Sequence, residues 1–185
     1  MIAPYHYKNN YNKRETIMKD QTVSLAEMLE CKEARAARQA YFINEYKKPL
    51  VSFTVVMPGP VKQNGMSEKI FEAGKSAIER KLNGCEVLYT EERVEKTGSE
   101  AFYIVDLPVL ELKKLMVEIE ESEPLGRLFD IDVIGKDLVP VSRRECGKSE
   151  RKCLICGGPS HACARSRKHS VGELLKEIER LVACK

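Results

Sequence analysis

The sequence predicts a single α+β domain in which helices pack on a mixed sheet. Two observations carry that prediction. Apolar spacing switches along the chain between the helical and the strand period. The 185 residues, 43% apolar and 32% charged, suffice for one compact core, and no internal repeat breaks them into smaller units.

Residues 1–20 are polar, rich in Asn, Tyr and Lys, and without a sustained period, so a flexible leader is expected there and a folded domain over 21–185. Ser24 and Glu27 stand at capping-box spacing, with Leu25, Met28 and Leu29 as the apolar face of a short helix. A second helical stretch is expected from Glu33 to about Tyr46, ending before Pro49. Leu50 to Met57 is dense in β-branched and aromatic residues and reads as a central, buried strand stopped by Pro58-Gly59-Pro60. Ile70, Phe71, Ile78 and Leu82 mark a helix from Ser67 to about Leu82, closed by Asn83-Gly84.

Glu86–Val94 and Ala101–Val105 read as a hairpin across Lys96-Thr97-Gly98-Ser99. Val109, Leu112, Leu115, Met116 and Ile119 then mark one helical face, closed by Pro124. Leu128–Ile134 and Leu138–Ser142 are expected as strands turning at Gly135-Lys136-Asp137. A Cys-rich segment, 146–169, leads to a C-terminal helix capped by Ser170 and Glu173, with Val171, Leu174, Leu175, Ile178, Leu181 and Val182 as its stripe.

Charge and composition narrow the function classes. Thirty-one basic against 28 acidic residues leave +3, too small a surplus to require a nucleic acid or a membrane surface as partner. Trp is absent, which argues against a base-stacking platform. The first twenty residues lack the apolar run of a signal peptide, and no stretch reads as a membrane span, so a cytoplasmic location is expected. Seven cysteines is an odd count, which fits reduced thiols or a metal site better than a secreted disulfide framework.

The segment Pro124-Leu125-Gly126-Arg127-Leu128-Phe129-Asp130-Ile131-Asp132-Val133 carries the most chemistry. On a strand, Asp130 and Asp132 project to one face ~6.6 Å apart while Phe129, Ile131 and Val133 enter the core. Paired carboxylates suit Mg²⁺, which is commonly held by one or two of them together with substrate phosphates. Gly126 admits close approach of a phosphate, and Arg127 adds a charged fork. The plainer alternative is a half-buried strand whose aspartates merely face water. Arg143, Arg144 and Lys62 are further candidates to bind phosphate.

Cys153 and Cys156 form C-x2-C, followed by Cys163 and His169, ligand types that can close a structural Zn²⁺ site. His161 is a rival fourth ligand. Two other readings remain: a loop of reduced, buried cysteines, and a Cys–His catalytic pair.

The runs Pro49–Pro60, Pro124–Val133, Ser142-Arg143-Arg144, and Lys152–Cys156 through Cys163-Ala164-Arg165 to His169 resemble the CitX family, the apo-citrate lyase phosphoribosyl-dephospho-CoA transferases, also called holo-citrate lyase acyl-carrier-protein synthases. The likeness extends from about Ser24 to the C-terminus and implies a nucleotidyltransferase-like fold. It implies transfer of the prosthetic group from 2′-(5″-triphosphoribosyl)-3′-dephospho-CoA to a serine of the citrate lyase acyl carrier protein, the γ subunit, with release of pyrophosphate. Asp130, Asp132 and Arg127 would be the catalytic residues, the first two holding Mg²⁺, while Gly126, Arg143, Arg144 and Lys62 would bind substrate. A more distant likeness to polymerase-β-type enzymes departs from their pattern, since Arg127 follows the glycine and no acid stands in the next strand. Glu118, Glu120 or Glu145 would then have to serve as third ligand. Readings from other classes are a zinc-stabilised, non-catalytic adaptor for an acyl carrier protein and a nucleotide-binding regulator.

Overall fold

The structure, a computed structural model, describes residues 20–184, so the expected leader lies almost wholly outside the described residues. The elements follow as α1 (Leu25–Tyr46), β1 (Leu50–Val55), α2 (Gly65–Lys81), β2 (Val87–Glu95), β3 (Gly98–Val105), α3 (Val109–Ser122), β4 (Phe129–Ile134), α4 (Ser160–Ser166) and α5 (Val171–Ala183). Among the described residues no helix is long and apolar enough to cross a membrane.

The N-terminal helix is one element, not two. Its capping box forms as expected, with the Glu27 amide donating to Ser24 Oγ at 3.3 Å and the Ser24 amide to Glu27 Oε2 at 2.8 Å. Neither Gly nor Pro interrupts the chain from there to Lys47, so nothing halts propagation until Lys47 turns left-handed at φ 55°. Leu25 and Leu29 of its expected apolar face are exposed.

The α+β class holds, but the sheet is antiparallel throughout rather than mixed, in the order β2-β3-β1-β4. Both β3 and β4 run antiparallel to β1 and are therefore parallel to each other. With β1 inserted between them, the parallel pair that the α3 crossover creates never becomes adjacent. The strand expected over Leu138–Ser142 reduces to one isolated bridge between Ile134 and Pro140. Leu138 sits at φ 64° and Pro140 has no N–H to give a ladder, so the extension cannot continue.

Alternation along the strands splits the core in two. Val51, Phe53, Tyr103, Phe129, Ile131 and Val133 face α2, α3 and α5, whose Ile70, Phe71, Leu112, Met116 and Ile178 complete the main cluster. Leu50, Phe102, Ile104 and Ile134 face α1 and meet Phe42 and Ile43. In α5 only Ile178 of the expected stripe is fully buried; Leu175, Leu181 and Val182 are partly buried and Val171 is exposed.

The edge strand β4 is closed by side chains. Lys113 Nζ donates to the Ile131 carbonyl at 3.0 Å, and the Ile131 amide donates to Glu120 Oε1 at 3.3 Å. Standing seven residues apart on α3, the two polar groups share its buried face, and each is only 4% exposed. Glu120 also accepts from Arg143 and Arg151. Burial pushes its pKa up, and the charges of Arg151, Lys113 and Arg143 oppose that rise.

Two stability changes follow. A Cβ at Gly74 would lie 2.3 Å from the Phe53 ring, which is fully buried and stacked on Phe71 at 5.2 Å. Gly74→Ala is expected to destabilise by about 1–3 kcal/mol despite the better helix propensity of Ala, read from the denaturant midpoint. Glu120→Gln leaves two arginines without their shared buried partner and is expected to cost about 3–5 kcal/mol. The exposed control Glu118→Gln, which loses only its pairing with Lys81, should keep a midpoint near that of the parent chain.

Candidate functional site

Gly126 lies in a buried 3-10 turn, Gly126–Leu128, that delivers the chain into β4. A Cβ there would meet the Glu120 carbonyl oxygen at 2.5 Å, so the bare glycine is used for close packing against the end of α3. From that turn the strand alternates as the sequence requires. Phe129, Ile131 and Val133 are buried, while Asp130 and Asp132 are exposed on the same face as α1. Across β1 they stand opposite Thr54 and Ser52 respectively.

Helix α1 covers only part of this face. Its line of residues at four-residue spacing changes from apolar Ile43 to polar Gln39, Arg35 and Cys31 as it passes above the sheet. Gln39 donates to Ser52 Oγ at 2.9 Å, and Arg35 Nε donates to Glu100 Oε1 at 2.7 Å. Glu100 on β3 is opposite Thr54, so a third carboxylate occupies the face of the aspartate pair, two strands from Asp130. Crowding by protein, with the negative charge of Asp130 second, raises the Asp132 pKa. Arg151 Nη1 reaches Asp130 Oδ1 at 3.5 Å while the same guanidinium holds Glu120.

The basic residues expected near a phosphate disperse. Arg127 is exposed and donates to the Lys152 carbonyl. Arg143 turns inward, its guanidinium shared by Glu120, Glu121 at 2.6 Å and the Ser149 carbonyl at 3.1 Å. Arg144 is 77% exposed and pairs with Glu150. Lys62 donates to the Met57 carbonyl at 2.6 Å, away from the aspartate carboxylates. The candidate third ligands are engaged elsewhere: Glu118 with Lys81, Glu120 in its buried cluster, and Glu145 with the Ser142 amide.

Sequence reasoning missed Arg151, Arg35 and Glu100. The only local signal for Arg151 is its place two residues before Cys153. Glu100 could have been found from strand parity, since Glu100, Phe102 and Ile104 share one face of β3.

Cys153, Cys156, Cys163 and His169 converge, with one donor atom from each lying within 4.8 Å of the others. The cysteines are free thiols, with Cys156 Sγ 3.5 Å from Cys163 Sγ, and His169 Nε2 is buried without a hydrogen-bond partner. The Gly158 amide and the Cys163 thiol draw the Cys156 pKa down to about 7, toward the thiolate form that metals bind. These four residues can hold a metal ion; an orphaned ring nitrogen beside three thiols is otherwise costly. Pro159 places His161 at the start of the short α4, and His161 is not one of the four.

Residues 23–185 match the family model described as apo-citrate lyase phosphoribosyl-dephospho-CoA transferase. A Vibrio cholerae serotype O1 (strain ATCC 39315 / El Tor Inaba N16961) protein, named probable apo-citrate lyase phosphoribosyl-dephospho-CoA transferase, is 43% identical over 165 residues, 88% of this chain and 93% of the relative. The Citrobacter koseri protein of that name, without "probable", is 36% identical over 162 residues, 86% of this chain and 88% of the relative. An Escherichia coli (strain SE11) relative matches to the same extent. With a match spanning both the strand that bears the aspartate pair and the Cys–His group, the chain belongs to the apo-citrate lyase phosphoribosyl-dephospho-CoA transferase family, CitX.

Proposed function

We propose that the chain transfers the 2′-(5″-phosphoribosyl)-3′-dephospho-CoA group from its triphosphoribosyl precursor to a serine of the apo-citrate lyase acyl carrier protein. The serine oxygen attacks the α-phosphorus, the bond to the β-phosphate bridge breaks, and pyrophosphate leaves. The observation that carries this reading is the aspartate pair on one open face of β4, inside a chain whose relatives bear the transferase name. Those names do not favour the adaptor reading.

Asp130 and Asp132 fit Mg²⁺ by chemistry and placement: two hard oxygen donors on one face, with Arg151 at 3.5 Å as the cation paired with Asp130. Magnesium bound there would neutralise charge on phosphate oxygens. The chain's own part is positioning and electrostatics. Glu120 and Lys113 fix the height of β4, Arg151 restrains Asp130, and the exposed Arg127 and Arg144 present positive charge to an acidic carrier. Zinc suits the three thiols and His169 as a structural ion that would lock the Cys-rich segment beside β4.

The assay combines the precursor, Mg²⁺ and apo carrier protein. Pyrophosphate should appear and one serine of the carrier should gain the mass of the prosthetic group. Asp130→Asn and Asp132→Asn should each reduce the rate on the order of 100-fold or more with unchanged thermal melting. A carrier bound but unmodified, under conditions where a known family member works, would return the protein to the adaptor class. Metal analysis of freshly purified, reduced protein should find about one zinc per chain, lost in Cys156→Ser; a zinc-free protein rejects the structural ion.

A further inference from the structure

Beside the aspartate pair lies a second feature that the proposed chemistry leaves unused. A cavity of about 110 Å³ sits between α1, the loop from β1 to α2, and the tip of the β2–β3 hairpin. Arg35, Thr54, Met57, Lys62, Ser67 and Ser99 line it. Thr54 is the cross-strand neighbour of Asp130, so the cavity stands one strand over from the carboxylates on the same side of the sheet. Direct cross-strand neighbours are about 5 Å apart at Cβ, within the span of adjacent phosphates.

The charge around this cavity is unbalanced. Lys62 spends one of its three donors on the Met57 carbonyl, and among the described residues no carboxylate pairs with it. Burial, together with the like charge of Lys32 on α1, lowers the Lys62 pKa. Arg35 engages Glu100 through Nε and Cys31 through Nη2 at 3.8 Å, and among the described residues Nη1 has no hydrogen-bond partner. Lys62 and Arg35 thus bring two cationic side chains to the cavity wall. A recess with cationic walls and hydroxyl groups concentrates anions.

We infer that this cavity is a phosphate-group subsite, in which Lys62 and Arg35 hold one phosphate of the donor while the reacting phosphorus lies over Asp130 and Asp132. The identity of the donor rests on the transferase reading; the affinity for phosphate does not. Two parts of the donor carry this chemistry, the departing pyrophosphate and the diphosphate bridge of its dephospho-CoA portion. Thr54, which lines the cavity and is the cross-strand neighbour of Asp130, connects the subsite to the aspartates.

The test is calorimetric binding of inorganic pyrophosphate and of dephospho-CoA, each without Mg²⁺, to the full chain and to four variants. Lys62→Met should weaken one of the two ligands roughly ten- to hundredfold, the loss of one charge-assisted hydrogen bond. Lys62→Arg should stay within a few-fold of the parent, and Asp130→Asn, which removes a negative charge beside the subsite, should weaken neither ligand. Weakening of pyrophosphate assigns the leaving group to the cavity; weakening of dephospho-CoA assigns the diphosphate bridge. Lys32→Met, on the exposed side of α1, should weaken the same ligand roughly threefold and keeps the test intact should Lys62→Met fail to fold. Parent-like affinity of Lys62→Met and Lys32→Met for both ligands, or no binding by the parent chain, overturns the subsite. Turnover is read separately: a parent chain that binds but transfers nothing sinks the transferase reading alone, and one that transfers while Lys62→Met binds both ligands normally sinks the subsite alone.

Discussion

An edge strand must satisfy its outer amide and carbonyl without a neighbouring strand, and here two buried side chains of a helix do so. Lys113 and Glu120 bind the Ile131 backbone on the side where β4 has no partner. Such groups are expensive to desolvate, so they demand further partners, and Arg143 and Arg151 supply them. The cluster therefore ties α3, β4 and the segment leading into the Cys-rich region to one point. Asp130 and Asp132 flank that point on the strand itself. Their position is set by a buried charge network rather than by a ladder on both sides.

The helix on the opposite face from α3 leaves part of the aspartate face uncovered. A helix fully apolar toward the sheet would also cover Thr54 and both aspartates. Helix α1 instead packs with Phe42 and Ile43 at one end and meets the sheet through Gln39 and Arg35 further along. Where its contacts turn polar, the face below stays open. Thr54 has a carboxylate across from it on each neighbouring strand, Asp130 on β4 and Glu100 on β3, and Arg35 pairs with Glu100.

The Cys–His group belongs to the same construction. Arg127 bonds to the Lys152 carbonyl, and Arg151 reaches Glu120 and Asp130, both just ahead of Cys153. A metal that closes the four ligands would therefore also steady the residues that touch β4. The region is small, with a seven-residue helix and a single bridge between Lys152 and Pro159 as its regular structure. Below a certain size, apolar burial alone gives little stability and a metal is a common remedy.

Much of this was legible in the primary structure, for a reason of range. Period, caps and turns are local, so the hairpin, β1, the alternation over Asp130 and Asp132 and the Ser170–Glu173 cap could be read directly. The ligand spacing of Cys153, Cys156, Cys163 and His169 was visible for the same reason, as were the family-like runs. Tertiary structure alone decided that β1 separates β3 from β4, that Arg143 turns inward to Glu120 and Glu121, and that Arg151 and Glu100 join the aspartate face. A side chain's face follows from its neighbours in the chain, but its charge partner follows from distances across the fold. Those distances are set by packing, which no local pattern encodes.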